Sequence, residues 1–277
     1  MTKEYKKIML PSNRQALCNQ VRRIAVEAGN MTLDYFDESG FEGAEVKADN
    51  SPLTIADTKA QEMIDKALRD IDPSVLIVGE ENAKPDVAHE DIFWLVDPVD
   101  GTKEFISGSG QYTVNIALIE NNKPVLGVVY APVSGMLYAS HGAGTAIKWS
   151  EDTGNERAIR VREPSAKGLI IVSSKSHGKG DKLENFLENY KVQKREQRGS
   201  SLKMCLIAEG KADLYPRFGL TCEWDTAAAH AVLNDAGGCI TTFDGKDIIY
   251  GTGQNEKFLN PEFCARSTHV MLPIEMT

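Results

Sequence analysis

Residues 94–105 of the 277-residue chain read Trp-Leu-Val-Asp-Pro-Val-Asp-Gly-Thr-Lys-Glu-Phe. Their apolar start is typical of a buried strand, and Pro98 predicts a turn at its end because proline has no N–H to donate to a neighbouring strand. Such a turn would bring together the carboxylates of Asp97 and Asp100 and the backbone carbonyl of Val99. Three oxygen donors at one point are ligands of the kind that Mg²⁺ prefers.

The two residues that follow supply a place for an anion. We expect the backbone N–H groups of Gly101 and Thr102 to lie at the start of a helix, where the helix dipole attracts a phosphate. A cation site beside a phosphate site indicates phosphoryl chemistry. The alternative is a plain strand followed by an Asp-Pro turn that binds nothing.

Two more acidic points stand at the ends of predicted elements. Glu80 and Glu81 follow the apolar run Val75–Val78, and Asp225 precedes the alanine-rich run Thr226–Ala236. Taken singly, the glutamates fit a solvated loop, and Asp225 fits a helix-capping or first-turn acid. If all these side chains converge, they must bind a cation or take up protons. The reason is that two carboxylates ~4 Å apart repel by about 4 kcal/mol at an effective dielectric constant of ~20.

Four segments together resemble the signature motifs of the inositol monophosphatase superfamily, whose members are Mg²⁺-dependent, lithium-sensitive phosphatases. In chain order these segments are Ser51-Pro-Leu-Thr-Ile-Ala-Asp57, Gly79-Glu80-Glu81, Asp97-Pro-Val-Asp-Gly-Thr102, and Trp224-Asp225 with Gly237-Gly238 downstream. They follow the order and spacing of that family. The resemblance implies the layered α-β-α-β-α sandwich of its members.

The resemblance also implies a role for each acidic residue. We expect Mg²⁺ as the cofactor, in two or three sites, with Mn²⁺ able to replace it. The expected ligands are Glu80, Asp97 and the Val99 carbonyl for the first ion, Asp97, Asp100 and Asp225 for the second, and Asp57 with Glu80 for the third. Thr102, together with Asp57 or Glu80, is expected to orient the attacking water. The N–H groups of Gly101 and Thr102 are expected to hold phosphate oxygens.

Two positions bear on the substrate. Inositol-selective members of the family carry a glutamate where this chain has Phe218, and an apolar ring cannot accept a hydrogen bond from a sugar hydroxyl. The pair Lys103-Glu104 instead resembles the bisphosphate nucleotidase branch, which removes the 3′-phosphate of adenosine 3′,5′-bisphosphate to give AMP. We therefore expect that reaction, with the phosphosulfate analogue left open as a substrate. The alternatives are an inositol or broad sugar-phosphate phosphatase, and a catalytically silent metal or nucleotide sensor.

The second phosphate of that substrate requires donors of its own. The predicted substrate-binding residues, besides Gly101, Thr102 and Asp225, are Ser176, His177, Ser200, Lys203 and Arg217. Cationic side chains beside hydroxyl groups are typical of a phosphate site. Each residue also has a plain structural interpretation, with the serine as a helix cap, the histidine in a surface turn and the lysine solvated. Tyr215 fits either an adenine-stacking ring or a core residue, and His230 fits a semi-buried structural residue.

Composition argues against several other classes of protein. The net charge of −9 disfavours nucleic-acid binding, and the chain shows no apolar run long enough for a membrane span. Five scattered cysteines without a C-x-x-C pair indicate reduced thiols. We expect a cytoplasmic protein, with a peripheral position at the inner membrane left open. Its expected partner is a small phosphate ester, and it is expected to act as a monomer or homodimer.

The order of predicted elements indicates an α/β fold in two lobes. Residues 1–160 have the pattern of an α+β lobe that contains a hairpin, with strands near 113–119 and 125–130, and they carry most of the predicted metal ligands. Residues 161–277 alternate between strands and helices and carry Asp225 and the predicted phosphate donors. The polar segment Ser150–Pro164 is the predicted boundary. The site is therefore expected between the lobes.

Overall fold

The computed structural model describes residues 10–11, 13–40, 45–46, 52–53, 55–81, 87, 90–174, 180–252 and 258–275. Within these ranges the helices are α1 (Arg14–Leu33), α2 (Ile55–Ile71), α3 (Thr102–Ile106), α4 (Asp181–Leu187), α5 (Leu202–Ala208) and α6 (Glu223–Asp235). The strands are β1 (Glu45–Val46), β2 (Pro52–Leu53), β3 (Leu76–Gly79), β4 (Ile92–Asp100), β5 (Thr113–Glu120), β6 (Lys123–Ala131), β7 (Met136–Ser140), β8 (Ile147–Ser150), β9 (Glu156–Ala158), β10 (Leu169–Ser173), β11 (Val192–Gln197), β12 (Leu214–Arg217), β13 (Gly238–Thr242) and β14 (Phe263–Ser267). None of the described helices combines the length and the apolar character that crossing a membrane would need.

Two main sheets organise the described strands, apart from β1 and β2, which form a separate antiparallel pair. The large sheet has the order β3-β4-β5-β6-β7-β8-β9, and the small sheet has the order β11-β10-β12-β14-β13. In the large sheet β3 and β4 run parallel, and every later pair is antiparallel. The predicted hairpin is confirmed as β5 and β6. Its turn contains Asn121 and Asn122 with positive φ angles of 49° and 63°, which asparagine tolerates better than most residues.

The elements stack in five layers because both sheets are apolar on both faces. Helices α1 and α2 cover the outer face of the large sheet, where Leu68 belongs to the same core cluster as Trp94. Helices α5 and α6 lie between the sheets, where Ala228 shares a cluster with Leu95. Helix α4 covers the outer face of the small sheet through residues such as Leu183. The result is the predicted α-β-α-β-α sandwich.

Helix α6 lies close to the large sheet because small residues meet at their contact. A Cβ atom added to Gly127 of β6 would lie 2.1 Å from the carbonyl oxygen of Ala228, so this position requires glycine. The helix contributes Ala227, Ala228 and Ala231 to the contact region, and each is at most 1% exposed. This close approach fixes the height of the first turn of α6, which contains Asp225, above the large sheet.

Strand β4 does not turn at Pro98, so that prediction was wrong. Asp97 pairs with Asn115 of β5, and pairing resumes at Asp100 after a shift in register. Pro98 and Val99 therefore stand opposite a single residue of β5, which is the arrangement of a β-bulge. The bulge accommodates a residue that has no N–H to donate to the partner strand. The N–H of Val99 donates to Oδ1 of Asp97 at 3.1 Å.

Several other bounds differ from the predicted ones. Helix α6 begins at Glu223, before the run that predicted it, because the acid and the tryptophan of the motif already lie in its first turn. Strands β9 and β14 were not predicted, since both are short and neither alternates clearly. The division into lobes at residue 160 remains a prediction, with β9 ending at Ala158 and β10 beginning at Leu169.

Candidate metal and phosphate site

Three carboxylates converge where β4 ends and α6 begins. Asp97, Asp100 and Asp225 each offer one oxygen atom, and these atoms lie within 4.8 Å of one another. The carboxylate of Asp225 accepts a hydrogen bond of 2.8 Å from the N–H of Cys222, so Asp225 also caps its own helix. Because a carboxylate has two oxygens and about four lone-pair sites, this bond is compatible with metal binding.

A second acidic group lies where β3 ends beside α2. One oxygen each of Asp57, Glu80 and Glu81 lie within 4.8 Å of one another. Asp57 is fully buried in the first turn of α2, and the two glutamates follow β3 directly. A Cβ atom added to Gly79 would lie 2.4 Å from Oε1 of Gln61, so a glycine there allows β3 to end against the helix. Glu81 was not among the predicted ligands, and its only signal in the sequence was its position next to Glu80.

Electrostatic repulsion couples the two groups. Burial, followed by the charges of neighbouring carboxylates with Glu80 first, raises the pKa of Asp97 well above its usual value. Burial and the charge of Asp100 raise the pKa of Asp225 to about 8. Without a cation Asp225 therefore holds a proton near neutral pH, and the raised pKa of Asp97 favours its protonated form. A buried set of oxygen donors fits a hard divalent cation such as Mg²⁺, which removes the repulsion.

Asp100 has donors and a cation around it as well as acids. Burial raises its pKa, while the nearby Lys203 cation and hydrogen bonds oppose that rise. Its Oδ2 accepts the N–H of Ser201 at 2.7 Å and Nδ2 of Asn115 at 3.2 Å. The orientation of this carboxylate is therefore fixed by contacts from β5 and from the start of α5.

The chain leaves the β4 bulge through a glycine. Gly101 has φ 93° and ψ 44°, a left-handed conformation that favours glycine. Helix α3 begins at the next residue, so Gly101 and Thr102 stand at the start of a helix as predicted. The hydroxyl of Thr102 donates to the carbonyl of Val99 at 3.2 Å. The predicted nucleophile-orienting hydroxyl thus lies next to a predicted metal ligand.

A cavity of about 130 Å³ opens beside the first acidic group. Its lining includes six of the predicted site residues, namely Asp100, Gly101, Ser200, Lys203, Arg217 and Asp225. These residues come from β4 and the glycine that follows it, from the segment before α5, from α5 itself, from β12 and from α6. The cavity therefore combines two cationic side chains with carboxylates of the acidic cluster.

Lys203 is buried, so its interpretation as a solvated side chain was wrong. The residue is 6% exposed, its Nζ donates to the carbonyl of Ser200 at 2.5 Å, and Nζ lies 5.3 Å from the ring centre of Tyr215. Burial lowers the pKa of Lys203 to about 8, and the charge of Asp100 opposes that fall. The side chain therefore remains mostly cationic at neutral pH and suits an anionic ligand.

Arg217 contacts the loop that follows β12 as well as the cavity. Its Nε donates to the carbonyl of Gly219 at 3.1 Å, and Nη2 donates to the carbonyl of Leu220 at 2.8 Å. The guanidinium therefore holds the loop in place with part of its donor set. Tyr215 is 3% exposed and meets Phe263 edge to face at 5.7 Å, which favours the core interpretation of this tyrosine.

Comparison of the sequence with known proteins identifies the family of this chain. The sequence profile of the inositol monophosphatase family matches residues 13–270. The chain belongs to the inositol monophosphatase family. It is 43% identical over 249 residues to an Escherichia coli K12 protein named 3′(2′),5′-bisphosphate nucleotidase CysQ, which covers 89% of this chain and 98% of that one. A protein of the same name from Haemophilus influenzae is 32% identical over 262 residues, or 92% of this chain and 94% of that one.

Solved structures of the inositol monophosphatase family share the fold. CysQ from Bacteroides thetaiotaomicron matches with a TM-score of 0.75 and 34% identity, covering 93% of this chain and 98% of that chain. An inositol monophosphatase from Anabaena matches with a TM-score of 0.72 and 24% identity, covering 93% of each chain. The predicted fold class is confirmed, and the second match supports the fold alone.

The ring of Phe218, the position that was expected to replace a glutamate of inositol-selective relatives, belongs to an apolar cluster. It stacks on Phe243 with ring centres 4.4 Å apart and an interplanar angle of 4°, and it meets Phe186 edge to face at 6.0 Å. The predicted substrate-binding residues Ser176 and His177 fall in the segment 175–179, outside the described residues. Their placement stays a prediction.

The interpretation of His230 as structural agrees with its surroundings. The residue is 4% exposed, and its Nδ1 lies 2.8 Å from the hydroxyl of Tyr250. Burial lowers the pKa of His230 to about 3, so the imidazole is neutral over the physiological range. A neutral, buried, hydrogen-bonded histidine needs no ligand to explain it.

Three polar residues beside the acids were not among the predicted site residues. Thr113 and Asn115 lie two residues apart on β5, and Ser201 lies directly before α5. All three are at most 1% exposed. Polar residues at alternate positions of an otherwise apolar strand share one face, and this spacing was the available signal.

Proposed function

We propose that the protein is a metal-dependent phosphatase that hydrolyses the 3′-phosphate of adenosine 3′,5′-bisphosphate to give AMP and phosphate. The observation that carries this proposal is a buried cation, Lys203, in a cavity that also contains Asp100 and Asp225. A substrate with two phosphates offers one to the metal ligands and one to such a cation. The relatives named 3′(2′),5′-bisphosphate nucleotidase support the same substrate.

The proposed metal ligands come from the two acidic groups and from the backbone carbonyl of Val99. They are Asp97, Asp100 and Asp225 for one Mg²⁺, Glu80, Asp97 and the Val99 carbonyl for another, and Asp57 with Glu80 for a third. When bound, such cations lower the pKa of water and neutralise charge on the attacking and leaving oxygens of an in-line displacement. Mn²⁺ is expected to replace Mg²⁺ because it accepts the same oxygen ligands.

The proposed nucleophile is water oriented by Thr102. Because the hydroxyl of Thr102 donates its own hydrogen to Val99, its oxygen is available as an acceptor for a hydrogen of the water. That contact would aim a lone pair of the water at phosphorus. Asp57 or Glu80 is the carboxylate proposed to take up the proton that the water releases.

The two phosphates of the substrate are proposed to bind in different places. The 3′-phosphate would meet the N–H groups of Gly101 and Thr102, with Asp225 between the two subsites. The proposed 5′-phosphate donors are Ser200, Lys203 and Arg217, with Ser176 and His177 from the segment outside the described residues. Lys203 is already held by the Ser200 carbonyl, so little side-chain entropy is lost when an anion binds. Binding energy from the remote phosphate can thus position the reacting one.

Several finer properties remain predictions that accompany this proposal. They are hydrolysis of the phosphosulfate analogue, a role in sulfur metabolism, inhibition by Li⁺, a cytoplasmic location, and a monomeric or homodimeric state.

Phosphate release from a panel of substrates tests the proposal. The purified protein is supplied with Mg²⁺ and, separately, with adenosine 3′,5′-bisphosphate, 3′-AMP or inositol 1-phosphate, and kcat/KM is compared. We expect the bisphosphate to be the best substrate and excess EDTA to abolish its hydrolysis. A preference for inositol 1-phosphate would assign the protein to the sugar-phosphate alternative, and no release from any substrate would favour the sensor.

A further inference from the structure

Strand β5 changes character as it approaches the acidic site. On its face towards α6 the side chains are, in order, Ile119, Ala117, Asn115 and Thr113, and each is fully buried or at most 1% exposed. The two apolar residues belong to the core between the sheets, whereas the two polar ones lie beside the β4 bulge. Buried amide and hydroxyl groups lower stability unless they are hydrogen-bonded. The hydrogen-bond partners of Asn115 and Thr113 therefore indicate the role of these two residues.

Asn115 joins two segments that are far apart in the sequence. Its Nδ2 lies 3.2 Å from Oδ2 of Asp100 and 3.0 Å from Oγ of Ser201. The hydroxyl of Thr113 donates to Oδ1 of Asn115 at 3.0 Å, which assigns the amide orientation that directs Nδ2 to the other two partners. Asn115 thus connects the end of β4 to the start of α5.

Ser201 extends this network to α6. Its N–H donates to the same Asp100 oxygen at 2.7 Å, and its hydroxyl donates to the backbone carbonyl of Asp225 at 2.7 Å. The residue is 1% exposed, so water does not compete for these bonds. Ser201 therefore bridges the two elements that supply two of the proposed metal ligands.

We propose that Ser201, held by Asn115, is a positioning residue that fixes Asp100 relative to Asp225 and thereby sets the affinity of the metal ion that both ligate. This inference rests on the proposed function, because it takes the two aspartates as ligands. The N–H of Ser201 and Nδ2 of Asn115 both donate to Oδ2 of Asp100, which sets the direction of its other oxygen. The Asp225 carbonyl belongs to the first turn of α6, so anchoring it also anchors the carboxylate of the same residue.

Direct titration with Mn²⁺ tests the inference, because the electron paramagnetic resonance signal of free Mn²⁺ measures binding without turnover. The variant Ser201→Ala keeps the N–H bond to Asp100 and loses the two bonds of the hydroxyl. Its matched control is Ser267→Ala, which removes an equally buried serine hydroxyl that donates to the carbonyl of Arg162 at 2.9 Å. Ser267 lies at the end of β14 that is remote from the cavity.

We expect Ser201→Ala to weaken one class of Mn²⁺ site by about 10–100-fold, as loss of a residue that orients a ligand does, and to leave the other class unchanged. Asn115→Ala should weaken the same class, and excess Mg²⁺ should restore kcat in both variants. Parent affinities in Ser201→Ala, or an equal loss in Ser267→Ala, would overturn the inference. A parent protein that binds no Mn²⁺ would contradict the proposed function itself, which is a separate outcome.

Discussion

The hydroxyl of Thr102 donates a hydrogen bond of 3.2 Å to the carbonyl oxygen of Val99. This bond joins the first residue of α3 to the bulge of β4 and directs the lone pairs of the threonine oxygen away from Val99. A carbonyl oxygen has two lone pairs, so Val99 can accept this bond and still ligate a cation. The bulge of β4 and the first turn of α3 thus together orient the oxygen of Thr102 as a hydrogen-bond acceptor in the site.

Removing that hydroxyl should slow catalysis more than it weakens binding. We expect Thr102→Ala to lower kcat on the order of 100-fold or more, as the loss of a positioned proton-transfer element does, with a small change in KM. The variant Thr102→Ser retains the hydroxyl, so its kcat should stay near that of the parent protein. Steady-state kinetics with the bisphosphate measure both constants. A change confined to KM would show that Thr102 binds substrate and does not orient water.

Asp97 lies at the centre of the proposed metal site, where the charges of Glu80, Asp100, Asp225 and Asp57 all raise its pKa, so neutralising it should abolish turnover. The variant Asp97→Asn keeps the shape of the side chain and an oxygen to accept the Val99 N–H, but it removes a charge that two proposed ions share. Without metal, the variant should melt at a higher temperature than the metal-free parent, because repulsion among buried carboxylates falls. Phosphate release and thermal melts measure the two effects. Substantial turnover by the variant, or by the parent in excess EDTA, would contradict the metal-dependent mechanism.

The variant Lys203→Met tests whether Lys203 binds the remote 5′-phosphate or supports reaction at the 3′-phosphate. Methionine retains the unbranched stem and removes the ammonium group. The bound transition state of the bisphosphate should therefore lose about 1.5–3 kcal/mol of stabilisation, and kcat/KM should fall roughly 10–150-fold. Hydrolysis of 3′-AMP, which has no 5′-phosphate, should change little. Arg217→Ala is a less specific test, because it also releases the carbonyls of Gly219 and Leu220. Equal losses on both substrates would mean that Lys203 supports the site and not the second phosphate.

The raised carboxyl pKa values make metal-free stability depend on pH. The pKa of an aspartate in an unfolded chain is about 3.9, whereas the pKa of Asp225 in the folded protein is about 8. The folded state therefore holds extra protons between these values. By linkage, this contribution to stability is complete below the unfolded pKa and is lost as the pH rises through the folded one.

Added Mg²⁺ should consequently raise the melting temperature more at about pH 8 than at about pH 5, where protons compete for the ligands. Melting curves with Mg²⁺ and with EDTA at the two pH values measure the difference. Asp225→Asn should reduce the dependence on pH. An equal Mg²⁺ effect at both pH values in the parent would show that these carboxyls do not change protonation on binding.

The elements that the sequence predicted best are those with strong local patterns. The hairpin of β5 and β6 followed from two apolar runs around Asn121 and Asn122. Glu80, Asp97 and Asp100 were singled out because they end or follow apolar runs, and Asp225 because it precedes an alanine-rich one. Asp57 was identified only through the resemblance of its segment to a family motif. The bulge at Pro98 was not predicted, because the register of β4 against β5 depends on a partner strand.

Residues that act across long sequence separations were also missed. Asn115 and Ser201 are hydrogen-bonded although 86 positions separate them, and nothing local announces that contact. The burial of Lys203 was unexpected for the same reason, since a lysine in the first turn of a helix usually lies in solvent. Packing between the layers of the fold determines where Asn115, Ser201 and Lys203 lie. A single sequence does not show that packing.

Helix α6 lies between the two sheets, and its residues share one core cluster with strands of both. The helix begins at Glu223, whereas the last strand of the large sheet ends at Ala158. During synthesis the ribosome therefore releases every strand of the large sheet before the helix that covers its inner face. A nascent chain of this length exposes an apolar sheet face and lacks the last member of the first acidic group. Metal can therefore assemble with the whole acidic set only after α6 has docked, because Asp225 lies in the first turn of that helix.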